Sequence, residues 1–264
     1  MLSAFKSPCY HVVHAKNYLW LLVLGSSLQV KLRNRFWLCA ILSFAVTVVE
    51  AAEMPNRIGT ILRIQGQVVE QPQGFESRPL YLGAPVHAQS KIKTGPNSRL
   101  EIRFVDGSRM LLGEWAHVSL DINIKDYRPR QQQSAQTGES APEAQKSNSM
   151  TVNILSGTFR FVTGLIAKIN TRSVRFGTQV ATIGIRGTDF FGGPLAAGMP
   201  PGEIHYGFMI LDGAIDIDNR HGSVTLDSPR EGTFLPMKGH KAPTPPAIWN
   251  QQAIDEAFAS IAFN

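Results

Sequence analysis

The chain has 264 residues, a formal charge of +6 and two cysteines. Lys6, Lys16, Lys31, Arg33 and Arg35 stand against Glu50 in the first 51 positions, so the other 21 basic and 19 acidic residues leave the body nearly balanced at +2. A body without a Lys/Arg stripe lacks the footprint that a phosphate backbone demands, which excludes nucleic acid as a partner; about 210 residues suffice for one core without disulfide or metal staples.

Residues 1–51 read as a leader. Lys31-Leu32-Arg33-Asn34-Arg35 followed by the fourteen apolar positions Phe36 to Val49 has the form of a basic and then an apolar region of a signal peptide, and Val49-Glu50-Ala51 offers a cleavage site after Ala51 or Ala52. Fourteen residues are short for a membrane span, which takes about 20. An uncleaved inner-membrane anchor with a periplasmic body is the alternative. Residues 1–30 carry a second apolar run, Tyr18 to Leu28, ahead of the basic region, and are expected to be an extension upstream of the true start near Val30. Cys9 and Cys39 both lie in this leader, leaving the body free of thiols, as suits an oxidising compartment. The expected location is the periplasm or the cell surface.

From Arg57 onward short segments alternate apolar and polar residues, rich in Val, Ile, Phe and Thr and punctuated by Gly, Asn and Pro. This is strand patterning. It predicts an all-β fold, a compact sandwich or roll of short strands with solenoid-like features. Leu100 to Val105 and Arg109 to Leu112 flank Asp106-Gly107-Ser108 as a hairpin. Apolar-x-Gly units recur at Ile64-Gln65-Gly66, Leu155-Ser156-Gly157 and Leu211-Asp212-Gly213, each starting a strand two residues later, and are read as kinks or bulges that re-aim a strand. Residues 128–149, rich in Gln, Ser and Pro and without aromatics, are expected to be a disordered insertion within one domain spanning 57–235. A Pro-rich stretch follows in 236–264, where Asn250 caps a short helix running to Phe263 with Ile254, Ala257, Phe258 and Ile261 on one face.

Catalytic chemistry is hard to place. The body has no cysteine and no Gly-x-Ser-x-Gly elbow. His87, His117, His205, His221 and His240 are scattered singly, without zinc spacing. Asp216 and Asp218 alternate with Ile215 and Ile217, so they share the solvent face of a strand and offer too few ligands for calcium. No catalytic residue, metal site or cofactor is assigned. A carbohydrate-active enzyme with two carboxylates that meet only in space is kept as a third reading.

The stretch Thr178-Gln179-Val180-Ala181-Thr182-Ile183-Gly184-Ile185-Arg186-Gly187-Thr188-Asp189-Phe190 resembles the signature of the FecR domain family at Arg186, Gly187, Thr188 and Phe190. Thr94-Gly95, the strand Leu100 to Phe104, Asp106-Gly107-Ser108, Leu155-Ser156-Gly157 and Leu211-Asp212-Gly213 follow in the family's order, so the likeness covers roughly residues 57–235. The residues themselves point to structural roles: Gly187 in a tight bend, Thr188 in a backbone hydrogen bond, Phe190 in the core and Arg186 paired with a carboxylate. The resemblance implies a sensor of the kind named after an iron-citrate uptake system. Such sensors carry a helical cytoplasmic segment that binds a sigma factor, which the short, apolar start of this chain does not match. The leading expectation is therefore an exported, non-enzymatic envelope module that binds a protein or glycan partner. A membrane-anchored signal-transducing sensor is the alternative.

Overall fold

Eighteen strands and two helices make up the described part of the chain. In this computed structural model residues 54–123, 148–169, 173–197, 203–237 and 240–264 are described. The leader and nearly all of the expected insertion lie outside them; Asn148 and Ser149 are the exceptions.

In chain order the elements are β1 (Arg57–Gln65), β2 (Val68–Pro72), β3 (Arg78–Pro79), β4 (Pro85–His87), β5 (Ser90–Thr94) and β6 (Arg99–Phe104). Next come β7 (Arg109–Leu112), β8 (His117–Asn123), β9 (Ser149–Ser156), β10 (Phe159–Val162), α1 (Leu165–Ile169) and β11 (Val174–Thr178). The chain ends with β12 (Thr182–Ile185), β13 (Asp189–Leu195), β14 (His205–Asp212), β15 (Ile215–Asn219), β16 (Gly222–Leu226), β17 (Glu231–Pro236), β18 (Ala247–Ile248) and α2 (Gln251–Ile261). They form two nine-stranded sheets. One has the order β18-β17-β14-β13-β10-β7-β6-β1-β4, the other β16-β15-β12-β11-β9-β8-β5-β2-β3. We call them the first and second sheet.

The sheets face one another because alternation gives nearly every strand one apolar side. Leu100, Ile102 and Phe104 of the first sheet and Ile92, Val118 and Leu120 of the second all bury in one core. At its centre Phe159 stacks on Phe176 of the opposite sheet at 5.6 Å between ring centroids, and Phe190 meets Phe176 edge-on at 5.4 Å. The fold expected from the sequence, an all-β sandwich or roll of short strands with a short C-terminal helix, is what the chain adopts, in the form of two facing sheets.

The apolar-x-Gly units do more than kink a strand: each is a corner at which the chain leaves one sheet and enters the other. Gly66 lies between β1 and β2, Gly157 between β9 and β10, and Gly213 between β14 and β15, all at positive φ (72°, 84° and 82°). Corners stack on one another. Gly95 N–H donates to the Gln67 carbonyl at 2.8 Å, Trp115 N–H to the Gly95 carbonyl at 3.3 Å, and Gly113 N–H to the Thr158 carbonyl at 2.9 Å. This row, with Gly66 and Gly157, forms one rim of the sandwich; the corners at Gly187 and Gly213 belong to the opposite rim.

Helix α1 leaves no strong signal in the sequence. The single turn α1 carries the chain from β10 in the first sheet to β11 in the second, and so places β11 parallel to β9. Five residues are too few for a helix to show in a pattern. On the outer face of the first sheet α2 buries Ala253, Ile254, Ala257 and Ile261 against Phe191, Leu195 and Met209, with Trp249 stacked on Phe234 at 4.8 Å. The Asn250 side chain caps it, accepting from Ala253 N–H at 2.9 Å. Gly207 and Gly232 leave room for the indole, since a Cβ on either would fall within 2.7 Å of Trp249.

Two predictions follow from the corners. A Cβ at Gly157 would lie 2.5 Å from the Ala116 Cα, whereas one at Gly107, also left-handed at φ +85°, meets nothing within 4 Å. Gly107→Ala should therefore cost only the strain of the backbone, about 1 kcal/mol, and Gly157→Ala roughly 3 kcal/mol or more, compared by urea unfolding. The second concerns His117, which starts β8 opposite Lys93. Burial, and then the charges of Lys93 and Lys91, hold its pKa below the ordinary 6.5. The unfolded chain then binds more protons than the folded one between the folded value and about 6.5, so stability falls as pH drops through that window. The melting temperature of His117→Gln should fall less than that of the parent between about pH 7.5 and about pH 5.5.

Candidate functional site

The hairpin turn Asp106-Gly107-Ser108 is built around a buried carboxylate. Asp106 Oδ1 accepts from Ser108 N–H at 3.0 Å, and Oδ2 from the Ser108 hydroxyl at 2.7 Å and, more distantly, from Ile166 N–H at 3.4 Å. The Asp106 carbonyl takes Leu165 N–H at 3.0 Å, and Ser108 Oγ accepts from Gly164 N–H at 2.8 Å. The turn thus grips the start of α1. Only glycine allows that approach at 164, where a Cβ would stand 2.4 Å from the Asp106 carbonyl oxygen.

Arg186-Gly187-Thr188 is the corner between β12 and β13 and reaches the same rim. Thr188 N–H donates to Thr163 Oγ1 at 2.7 Å, and Thr163 N–H to the Thr188 carbonyl at 2.8 Å. The two signature segments, distant in sequence, are therefore joined through Thr163 to Ile166. Gly187 adopts φ +67° and Gly213 packs on it. One expectation needs correcting. The Thr188 hydroxyl is buried and has no hydrogen-bond partner among the described residues, so the residue's backbone makes the bond that its side chain was expected to make. Phe190 lies wholly in the core. Beside it Asp189 takes a two-pronged bond from Arg160 at 2.8 and 2.6 Å, and that hydrogen bond holds the guanidinium pKa above its ordinary value against the opposing effect of burial.

Arg186 itself points to the outer face of the second sheet, where it pairs with Asp216. There β11, β12 and β15 present Arg175, Thr182, Gly184, Arg186, Asp216 and Asp218 around a groove of about 700 Å³. Its volume is in the range of small-molecule and peptide-anchor pockets, and it exceeds two hollows of about 430 and 400 Å³ on the far half of the sandwich. Gly184 makes its floor shallow. Asp216 is engaged on both oxygens, by Arg186 and by the Thr225 hydroxyl at 2.7 Å. Among the described residues no group of three His, Cys, Asp or Glu side chains is placed to hold a metal ion.

Sequence reading missed Arg175 as a neighbour of Arg186 in the groove, because the two converge only through the order of strands in the sheet. It also missed Glu70. This wholly buried carboxylate accepts from Arg78 Nη2 at 2.7 Å and His87 N–H at 2.8 Å, and so ties β2 and β3 of the second sheet to β4 of the first.

Residues 90–198 match the family described as FecR protein. That span takes in both signature segments. Among solved structures, two crystal structures of a candidate anti-sigma factor from Parabacteroides distasonis align with TM-scores of 0.40 and 0.41 at 12% and 11% identity. Each alignment covers 62% of this chain and 62% of the other, so this chain spans under two thirds of those proteins. A structure named "Cell surface anchoring domain" aligns over 24% of this chain and 84% of its own, at 33% identity and a TM-score of 0.24. At that distance these structures say nothing of what this chain binds. No curated protein matches the chain. No described helix is long and apolar enough to cross a membrane.

The turn's energetics can be tested directly. Asp106→Ala strands the Ser108 N–H and hydroxyl in a buried site and should lower the unfolding free energy by about 2–4 kcal/mol. Asp106→Asn keeps one acceptor oxygen and should cost about 1 kcal/mol. Equal losses in the two variants, measured by denaturant titration, would show that the bonds to Asp106 do not hold the rim together.

Proposed function

We propose that this protein is a non-enzymatic, signal-transducing regulator of the cell envelope, whose FecR domain receives its signal by binding a partner outside the cytoplasm. The match of residues 90–198 to the FecR family carries this reading. It favours the sensor that ranked second on sequence alone over a binding module without a regulatory role. The arrangement of the rim is consistent with it: the signature residues brace one another and present Arg186 at the groove, whose size and polar lining suit recognition. Export by the leader and a protein partner at the groove are parts of the same proposal.

The test compares transcript profiles of a strain lacking the gene, a complemented strain, and one complemented with the Arg175→Glu/Arg186→Glu variant. The deletion should change a restricted set of transcripts, and the wild-type gene should restore them. Both arginines are solvent-facing, so the variant should keep its melting temperature to within about 2 °C and yet fail to restore the profile. An unchanged profile on deletion would rule out the regulatory reading. Full rescue by the double variant would remove the groove from it.

A further inference from the structure

Each sheet has two edges, and three of the four are blunted. The edges at β3 and β18 are two residues long, with Pro79 inside the first and Pro245-Pro246 before the second, and β4 is a three-residue strand that opens on Pro85. Short strands and prolines are the usual guards against strand addition. The fourth edge, β16, has five residues, Gly222-Ser223-Val224-Thr225-Leu226, with no proline, charge or bulge.

The register tells which backbone groups it leaves open. Asn219 pairs with Gly222 across the two-residue turn Arg220-His221, and Ile217 with Val224. In a hairpin of that length Gly222, Val224 and Leu226 bond inward to β15, and the N–H and C=O groups of Ser223 and Thr225 point away from the sheet. Among the described residues no backbone group bonds to them. Val224 is only partly buried where it packs against the core, so apolar surface is left at the same edge.

The geometry points to a second copy of this chain as the occupant, its β16 running antiparallel with the two-fold axis at Val224. This register sets Ser223 opposite Thr225 of the other copy, so each outward N–H and C=O finds a partner and the two hydroxyl side chains lie side by side. It also matches charge. The turn end of β16 carries Arg220, whose guanidinium donates to the His221 and His240 rings, with Lys241 held against it through Asn219. The other end carries Asp227 and, bound to its backbone, Glu231, while Arg230 turns away to Gln251 on α2. Antiparallel pairing places basic end against acidic end twice, whereas parallel pairing would oppose like charges. Five residues a side bury less than a stable interface needs, so the dimer is weak and depends on concentration.

The test uses the full chain with Cys9→Ser and Cys39→Ser, into which Val224→Cys is introduced. Across a non-hydrogen-bonded pair on the axis the two sulfurs come within bonding range. Mild oxidation should give a species of twice the chain mass, and Thr182→Cys, exposed on the outer face of the same sheet away from the edge, should not. Sedimentation of cysteine-free chains keeps the test independent of how Val224→Cys folds. Thr225→Lys, outward on the edge, should reduce the dimer roughly tenfold. Asp227→Lys should weaken it as well, and Asp227→Lys with Arg220→Glu should restore it. The inference is overturned if Val224→Cys and Thr182→Cys cross-link alike, if the cross-linked species holds a different protein, or if Thr225→Lys leaves the mass distribution unchanged.

Discussion

Facing sheets pack about 10 Å apart, and a chain that must pass between them within two residues has three Cα–Cα steps, about 11 Å, in which to do it. The corners at Gly66, Gly157 and Gly213 meet that limit with nothing to spare. Each leaves its strand at a positive φ and joins the next strand three residues later in the other sheet. A side chain at these positions is opposed twice, by the left-handed backbone and by the neighbouring corner, which approaches to 2.5 Å or less of where a Cβ would stand. Alternation between sheets, the shared core and the stacking of rims all depend on this.

The signature residues follow from the same constraint. On the rim opposite Gly66 the chain brings together a hairpin turn, the start of α1 and the corner at Gly187, three pieces of backbone with many unpaired polar groups. Asp106 and Thr163 satisfy them from side chains, at the cost of burying a carboxylate. Asp106-Gly107-Ser108 and Gly187-Thr188 thus act as parts of one joint, and Arg186 is the member of that joint whose side chain reaches the open face.

Much of this was legible from alternation alone: the strands from Arg57 onward, the hairpin at 106–108 and the α2 face of Ile254, Ala257 and Ile261. The glycine units were legible as bends but not as sheet changes, since a single strand's pattern says which side is buried and not which sheet holds it. Arg175, Arg186 and Asp216 come from three strands whose adjacency depends on the crossing through α1, and α1 is too short to leave a periodic trace. Thr188 was misread for a related reason. Its type suggests a hydroxyl that bonds the backbone, but the corner's packing turns the hydroxyl into a site without a partner among the described residues and leaves the bond to the main chain.

The two outer faces of the sandwich divide its labour. On the first sheet α2 and Trp249 cover the surface, seated over Gly207 and Gly232, so that face is spent on stability. On the second sheet the outward positions of β9, β11, β12, β15 and β16 include Asn153, Arg175, Thr182, Asp218, Ser223 and Thr225, polar side chains that the described residues leave exposed, with Leu155 the apolar exception among those exposed. A polar face costs little to keep in water and gains when a partner satisfies it. The groove at Arg186 and the open edge at β16 lie on this same sheet, separated by β15 alone. A strand added at β16 would therefore lie beside the groove and extend its wall, and through Thr225, Asp216 and Arg186 the bonded side chains already run from that edge to the signature joint.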